Sequence, residues 1–244
     1  MWFGKRKSEP QEQPAYAAAM QAALENAQKT DPLVRAKIGS RALKDKLYNV
    51  LKSSDPRGVH AETALGMLGS LAGFSCVLYA LSAQRAGHGK DDPGALMVVT
   101  GADGKNYIYG NLTNGPLLEN EHSVWSLVAG IAQHLGSSQI PDVSEIAKHV
   151  ASTAGGELFG IPRIPEGHKL ADTPRGYVRA LWPVVINEVK NYTTDPAEWP
   201  ILFALAAQQV MQDAQQVLEP GLAAKIVMEC AIPMSKIDPD LAFD

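Results

Sequence analysis

The sequence predicts a mainly α fold of the α+β kind: a multi-helix single domain around one buried, Gly/Ala-rich central helix, with one small antiparallel β-hairpin. Three observations carry that prediction. Residues 64–83, ALGMLGSLAGFSCVLYALSA, run for twenty positions without a charge or a proline. A capping side chain precedes proline at Asp31-Pro32, Asp55-Pro56, Thr173-Pro174 and Asp195-Pro196. Near residue 96 the apolar pattern leaves the helical period and then turns at Asp103-Gly104.

The central stretch is interrupted only by Ser70, Ser75 and Ser82, so it lacks the polar stripe of a surface helix and belongs inside the fold. It is long enough to test as a membrane span. Half of its positions are Ala, Gly or Ser, and the mean hydropathy of the chain is slightly negative, so an integral membrane protein is not expected. Gly66, Gly69 and Gly73 share one face at three- and four-residue spacing, which invites another helix to approach closely. Each glycine costs about 1 kcal/mol of helix propensity, so close packing has to offset it.

In chain order, residues 1–14 read as a flexible polar arm, 15–234 as the single mostly helical domain and 235–244 as an acidic C-terminal tail. An alanine-rich helix is expected at 15–29. Each Asp-Pro or Thr-Pro pair is expected to open a helix, because the side-chain oxygen caps unpaired N–H groups and proline at the first position sacrifices no bond. Glu219-Pro220 repeats the signal more weakly. The helix after Asp31 extends to about residue 52. Residues 96–100 (LMVVT) and 105–109 (KNYIY) flank Gly101-Ala102-Asp103-Gly104, a hairpin in which Asp103-Gly104 supplies positive φ. A lone hairpin is marginal, so it lies on helices, gains a third strand or pairs with the hairpin of a second copy. Further helices are expected at 122–135, stopped by Gly136, and at 141–154, stopped by Gly155-Gly156. Residues 155–173 form a long loop whose apolar residues favour packing on the core. Helices at 174–192, 196–218 and 220–231 close the fold.

Composition, 45% hydrophobic and 20% charged, is that of an ordinary globular protein. Both cysteines, Cys76 and Cys230, fall in apolar helices and no signal peptide is visible, so a reduced cytoplasmic protein is expected, with one buried disulfide as the alternative that the sequence leaves open. Charge is uneven: residues 1–58 hold eleven Lys/Arg against six Asp/Glu. Lys37, Arg41 and Lys44 make a row on the helix after Asp31, a candidate anion-binding surface. The row lacks interleaved aromatics and any nucleic-acid motif, so a nucleic-acid partner is not expected.

Motifs for chemistry are sparse. His60-Ala61-Glu62 matches half of the H-x-E deaminase signature, but P-C-x-x-C is absent. Residues 101–105 are too short for a phosphate loop and join two strands; GxGxxG and GxSxG do not occur. No cofactor and no dedicated metal site is predicted. The leading expectation is therefore a non-enzymatic binding or assembly module forming a homo-oligomer, a homodimer where the hairpin edge pairs, through that edge or the small-residue helix face. The alternative is an enzyme or a protein binding a small ligand or metal, with a pocket where His60 and Glu62 meet His122 beneath the long loop. The second alternative is anionic-surface binding through Lys37, Arg41 and Lys44.

Overall fold

The computed structural model describes residues 13–55 and 58–243. Most of the expected arm at 1–14 lies outside the described residues. The described residues cluster into two compact units, one up to Arg35 and one from Ala36 onward. The first contains α1 (Gln13–Gln28), followed by a turn in which the Asp31 carboxylate accepts from Leu33 N at 3.1 Å. Arg35 donates there to Gln28 and Gln21.

The second unit is a helical body with a small hairpin on it. α2 (Val34–Ser54) enters it, and α3 (Ala61–Arg85) follows. β1 (Met97–Thr100) and β2 (Asn106–Tyr109) form the hairpin. A short helix α4 (Asn111–Asn114) runs into a π-helical turn, Gly115–Glu119. Then come α5 (Val124–His134), α6 (Val143–Ser152), α7 (Pro174–Lys190), α8 (Trp199–Ala214), α9 (Pro220–Met234) and α10 (Pro239–Phe243).

α3 is the core helix, packed by α7, α8 and α9. Its two buried serines are satisfied within the helix: Ser70 Oγ donates to the Gly66 carbonyl at 2.6 Å and Ser75 Oγ to that of Ala72 at 2.7 Å. That is how a polar side chain enters an apolar interior without an unpaired group. Among the described residues α3 is the one helix long and apolar enough to cross a membrane, and 78% of its apolar window is buried in the protein itself. The glycine face is consumed inside the fold. A Cβ on Gly69 or Gly73 would strike the backbone of Val227 or Ala231, so α9 lies directly against α3. Gly66 instead faces the side chains of Leu170 and Tyr177. On α3's other side, Phe74 meets Trp182 edge-on at 5.0 Å, and Trp182 leans on Trp199 and Phe203.

The expected caps divide by position. Thr173 accepts from Gly176 N, and Glu219 accepts from Leu222 N at 2.6 Å, so both open helices as expected. Asp195 opens only a leading turn, through Ala197 N and Glu198 N, before α8 begins at Trp199. Asp55 does not open the central helix; its N–H closes the last turn of α2 on Leu51. Gly58, at φ +116°, breaks the path, and His60 becomes the cap of α3.

The hairpin pairs Met97 with Tyr109 and Thr100 with Asn106. Its turn needs one left-handed residue, not two: Gly104 at φ +76°, while Asp103 accepts from Lys105 N through its side chain. Gly101 N to Lys105 O closes a three-residue loop of the bulged kind. β2 gains a partner on its far side, Ile108 N donating to Lys236 O at 2.7 Å, with Tyr107 bridged to Ile237. Residues 235–243, expected as a tail, are thus built into this unit. Ser235, Lys236, Ile237 and Ala242 are buried, and the Phe243 ring lies 5.9 Å from Phe74.

Candidate functional site

The first turn of α3 gathers a group of titratable side chains. His60 takes an extended conformation, φ −78° and ψ 112°, and its Nδ1 accepts from Thr63 N at 3.3 Å, with Thr63 Oγ1 at 2.8 Å. Acceptance at Nδ1 leaves the proton of a neutral ring on Nε2. That atom stands 3.3 Å from Glu62 Oε2. The other carboxylate oxygen, Oε1, accepts from His168 Nδ1 at 2.9 Å. Glu62 is therefore held between two imidazoles, at the N-terminal end of a long helix where a carboxylate is favoured. Burial alone would raise its carboxyl. The hydrogen bond from His168, its own backbone N–H and the electrostatic influence of the two imidazoles outweigh that and hold it below the ordinary carboxylate range.

The loop 155–173 delivers His168 and is itself pinned. Arg163 places its guanidinium on Glu145 of α6 and on the buried Glu229 of α9, and its N–H also donates to Glu229. Ala171 N donates to Thr63 Oγ1, which fastens the loop to the cap. Beside this cluster lies a cavity of about 270 Å³ lined by Leu51, His60, Thr63, Lys169 and Leu170, with Asp55 at its side. Of the clamp itself, His60 lines this cavity.

Of the predicted site residues, His60 and Glu62 come together. Their third member is His168. His122 makes no hydrogen bond or ion pair with either among the described residues; it precedes Ser123, the cap of α5. His168 carried no local signal, because 106 residues separate it from Glu62. Among the described residues no group of three or more His, Cys, Asp or Glu has a geometry that could hold a metal ion.

The basic row is partly neutralised by the protein. Lys44 Nζ pairs with Asp213 at 2.9 Å, and neighbouring Lys46 pairs with Glu188 at 3.0 Å. Asp213 also accepts from Tyr48 OH, whose ionisation burial and that carboxylate push far up. Lys37 and Arg41 continue the row on α2. Cys76 and Cys230 are free and fully buried, and burial drives both thiols well above their ordinary range, away from nucleophilic use.

The second feature is an edge. Every residue of β1 is exposed, with Met97 at 45%, Val98 at 60% and Val99 at 45%. The bond from Gly101 N to Lys105 O makes alternate residues 101, 99 and 97 the ones bonded to β2. The N–H and C=O groups of Val98 and Thr100 therefore point outward. A charge-free apolar edge of this kind is what sheet proteins ordinarily cover or blunt.

No protein-family model matches the chain, no curated protein matches it in sequence, and no solved structure matches it.

Proposed function

We propose that the protein is a non-enzymatic assembly module that forms a homodimer by pairing β1 with β1 of a second copy. The observation that carries this reading is the open edge: an apolar strand with outward main-chain groups and no charged residue guarding it. The other route to assembly, the small-residue face of α3, is already occupied by α9, and the far edge of β2 by Lys236 and Ile237. A second copy is the partner whose edge matches by construction. In an antiparallel pair centred on Val99, Val98 of each copy exchanges both main-chain bonds with Thr100 of the other, and the two Val99 side chains meet at the axis. Sedimentation over a range of concentrations tests this. Val98→Pro removes an outward N–H while sparing every β1–β2 bond, so dimer in the parent and monomer in the variant is the expected pair of results. A parent that stays monomeric throughout contradicts the reading.

A second reading is favoured by the clamp on Glu62: a small-ligand site in the cavity beside His60, with His168 in the place expected for His122. A thermal-shift screen of small polar compounds tests it. A response lost in both His60→Ala and His168→Ala supports the site; a response unaltered by both rejects it. Anionic-surface binding through Lys37, Arg41 and Lys44 gains no comparable support, since Lys44 is spent on Asp213.

A further inference from the structure

We infer that a separate cavity, at the turn of the hairpin, is a binding site for a small amphipathic anion: one acidic head on an apolar body. The cavity measures about 360 Å³ and lies where the hairpin turn, the loop after α6, the first turn of α7 and the C-terminal segment meet. That volume is within the usual range for small-molecule sites, roughly 300–1,000 Å³.

The lining holds an apolar wall, two cations and two carboxylates. Phe159, Ile161, Met234, Ile237 and Leu241 form the wall, and Tyr107 meets Phe159 edge-on at 4.8 Å. Lys105 and Arg175 line the same space, and among the described residues neither side chain has a hydrogen bond or an ion pair. Arg175 sits in the first turn of α7, which holds no acidic residue of its own, although the Asp172 carboxylate lies just before it, against Gly176, and accepts from Thr173 N at 2.7 Å. Arg175 is half-buried and Lys105 exposed, so both are available to an anion that enters the cavity. Of the acidic residues in the lining, Asp103 is engaged, its two oxygens accepting from Lys105 N at 3.0 Å and from Tyr107 OH at 3.2 Å. Glu157, exposed at the rim, and the Asp103 carboxylate, which its neutral donors do not discharge, are the opposing charges. The head group therefore faces Lys105 and Arg175, and the apolar body lies against Phe159 and the buried Met234 and Ile237.

The inference rests on neither reading above, and the probe that tests it is 8-anilinonaphthalene-1-sulfonate, followed by fluorescence on the full chain. Saturable binding displaced by octanoate but not by octan-1-ol is expected. Replacing both cations, Lys105→Gln with Arg175→Gln, is expected to weaken binding by about tenfold or more, the loss of charge-assisted contacts to the head. Glu157→Gln is expected to tighten it, and Val98→Lys, which alters the exposed strand edge where the dye could also settle, to leave it unchanged. Thermal unfolding of each variant establishes that it is folded. Absence of saturable binding, equal displacement by the alcohol, or unchanged affinity in a folded double variant overturns the inference.

Discussion

The carbonyl oxygen of Ala231 occupies the place that a Cβ on Gly73 would take. Two helix backbones touch there, and Gly69 repeats the relationship with Val227 one turn earlier. Backbone cannot rotate aside as a side chain can. Gly73→Ala is therefore expected to destabilise the fold by about 1–3 kcal/mol despite the better helix propensity of alanine. Gly66→Ala, which meets only Leu170 and Tyr177 side chains, should be near neutral. Urea unfolding of the two variants checks the contrast; equal costs would mean that α9 does not approach α3 as described.

Glu62 supplies a pH prediction. Its carboxyl is held low in the folded protein despite burial, by His168 first and then by its backbone N–H and the electrostatic influence of the imidazoles. A lowered folded value means stabilisation that is present above the ordinary carboxylate range and lost as pH falls through the folded value. Glu62→Gln should therefore be less stable than the parent at pH 6, with the difference vanishing at strongly acidic pH. His168→Ala should move the parent's acid limb toward higher pH. Unfolding curves between pH 7 and 3 measure both, and parallel limbs would show that the clamp contributes nothing.

Lys236 supplies one of opposite sense. Its Nζ is buried, donates to Asn114 Oδ1 at 2.8 Å and lies 5.3 Å from the Tyr109 ring centroid. Burial lowers its ammonium to about 8, against the smaller raising influences of Cys76 and Glu119. The unfolded chain then holds more protons between about pH 8 and the ordinary lysine value, so this residue makes the protein more stable as pH rises through that window. Carrying the charge at pH 7 costs about 3 kcal/mol at most. Lys236→Met should gain part of that at pH 7, and its advantage should shrink by pH 9.5. A difference between variant and parent that does not vary with pH contradicts the assignment. Cys76 and Cys230 act the other way, their raised values withdrawing stability above the ordinary thiol range, which is why the difference and not the parent curve is diagnostic.

What was legible in the sequence is what local chemistry dictates. The charge-free run at 64–83 became the core of α3 because nothing in it required water, and LMVVT with KNYIY became the hairpin because Gly104 permits the turn. Thr173 capped α7 because its hydroxyl lies beside the N–H it accepts. The misses share a cause, distance along the chain. His168 reaches Glu62 only through the path of a loop that Arg163 pins to α6 and α9. Ile237 joins β2 although residues 235–244 hold Asp238, Asp240 and Asp244, because its partner strand lies far off in the sequence and the acidic residues after it mask the buried run 235–237. His60 took the capping role expected of Asp55 because an imidazole nitrogen accepts an N–H as a carboxylate does, and Gly58 redirects the chain just before it.

Disulfide trapping at the proposed two-fold axis tests the assembly reading most directly. Opposed residues of a non-hydrogen-bonded antiparallel pair lie about 4.5 Å apart at Cα, within the reach of a disulfide. The native Cys76 and Cys230 are buried and do not compete. Under mild oxidation Val99→Cys is expected to form a covalent dimer rapidly and faster than Val98→Cys, with the more accessible control Val217→Cys, 81% exposed in the parent against 45% for Val99, slower still. If Val99→Cys cross-links no faster than Val217→Cys, β1 does not pair with its copy and the proposed function is wrong.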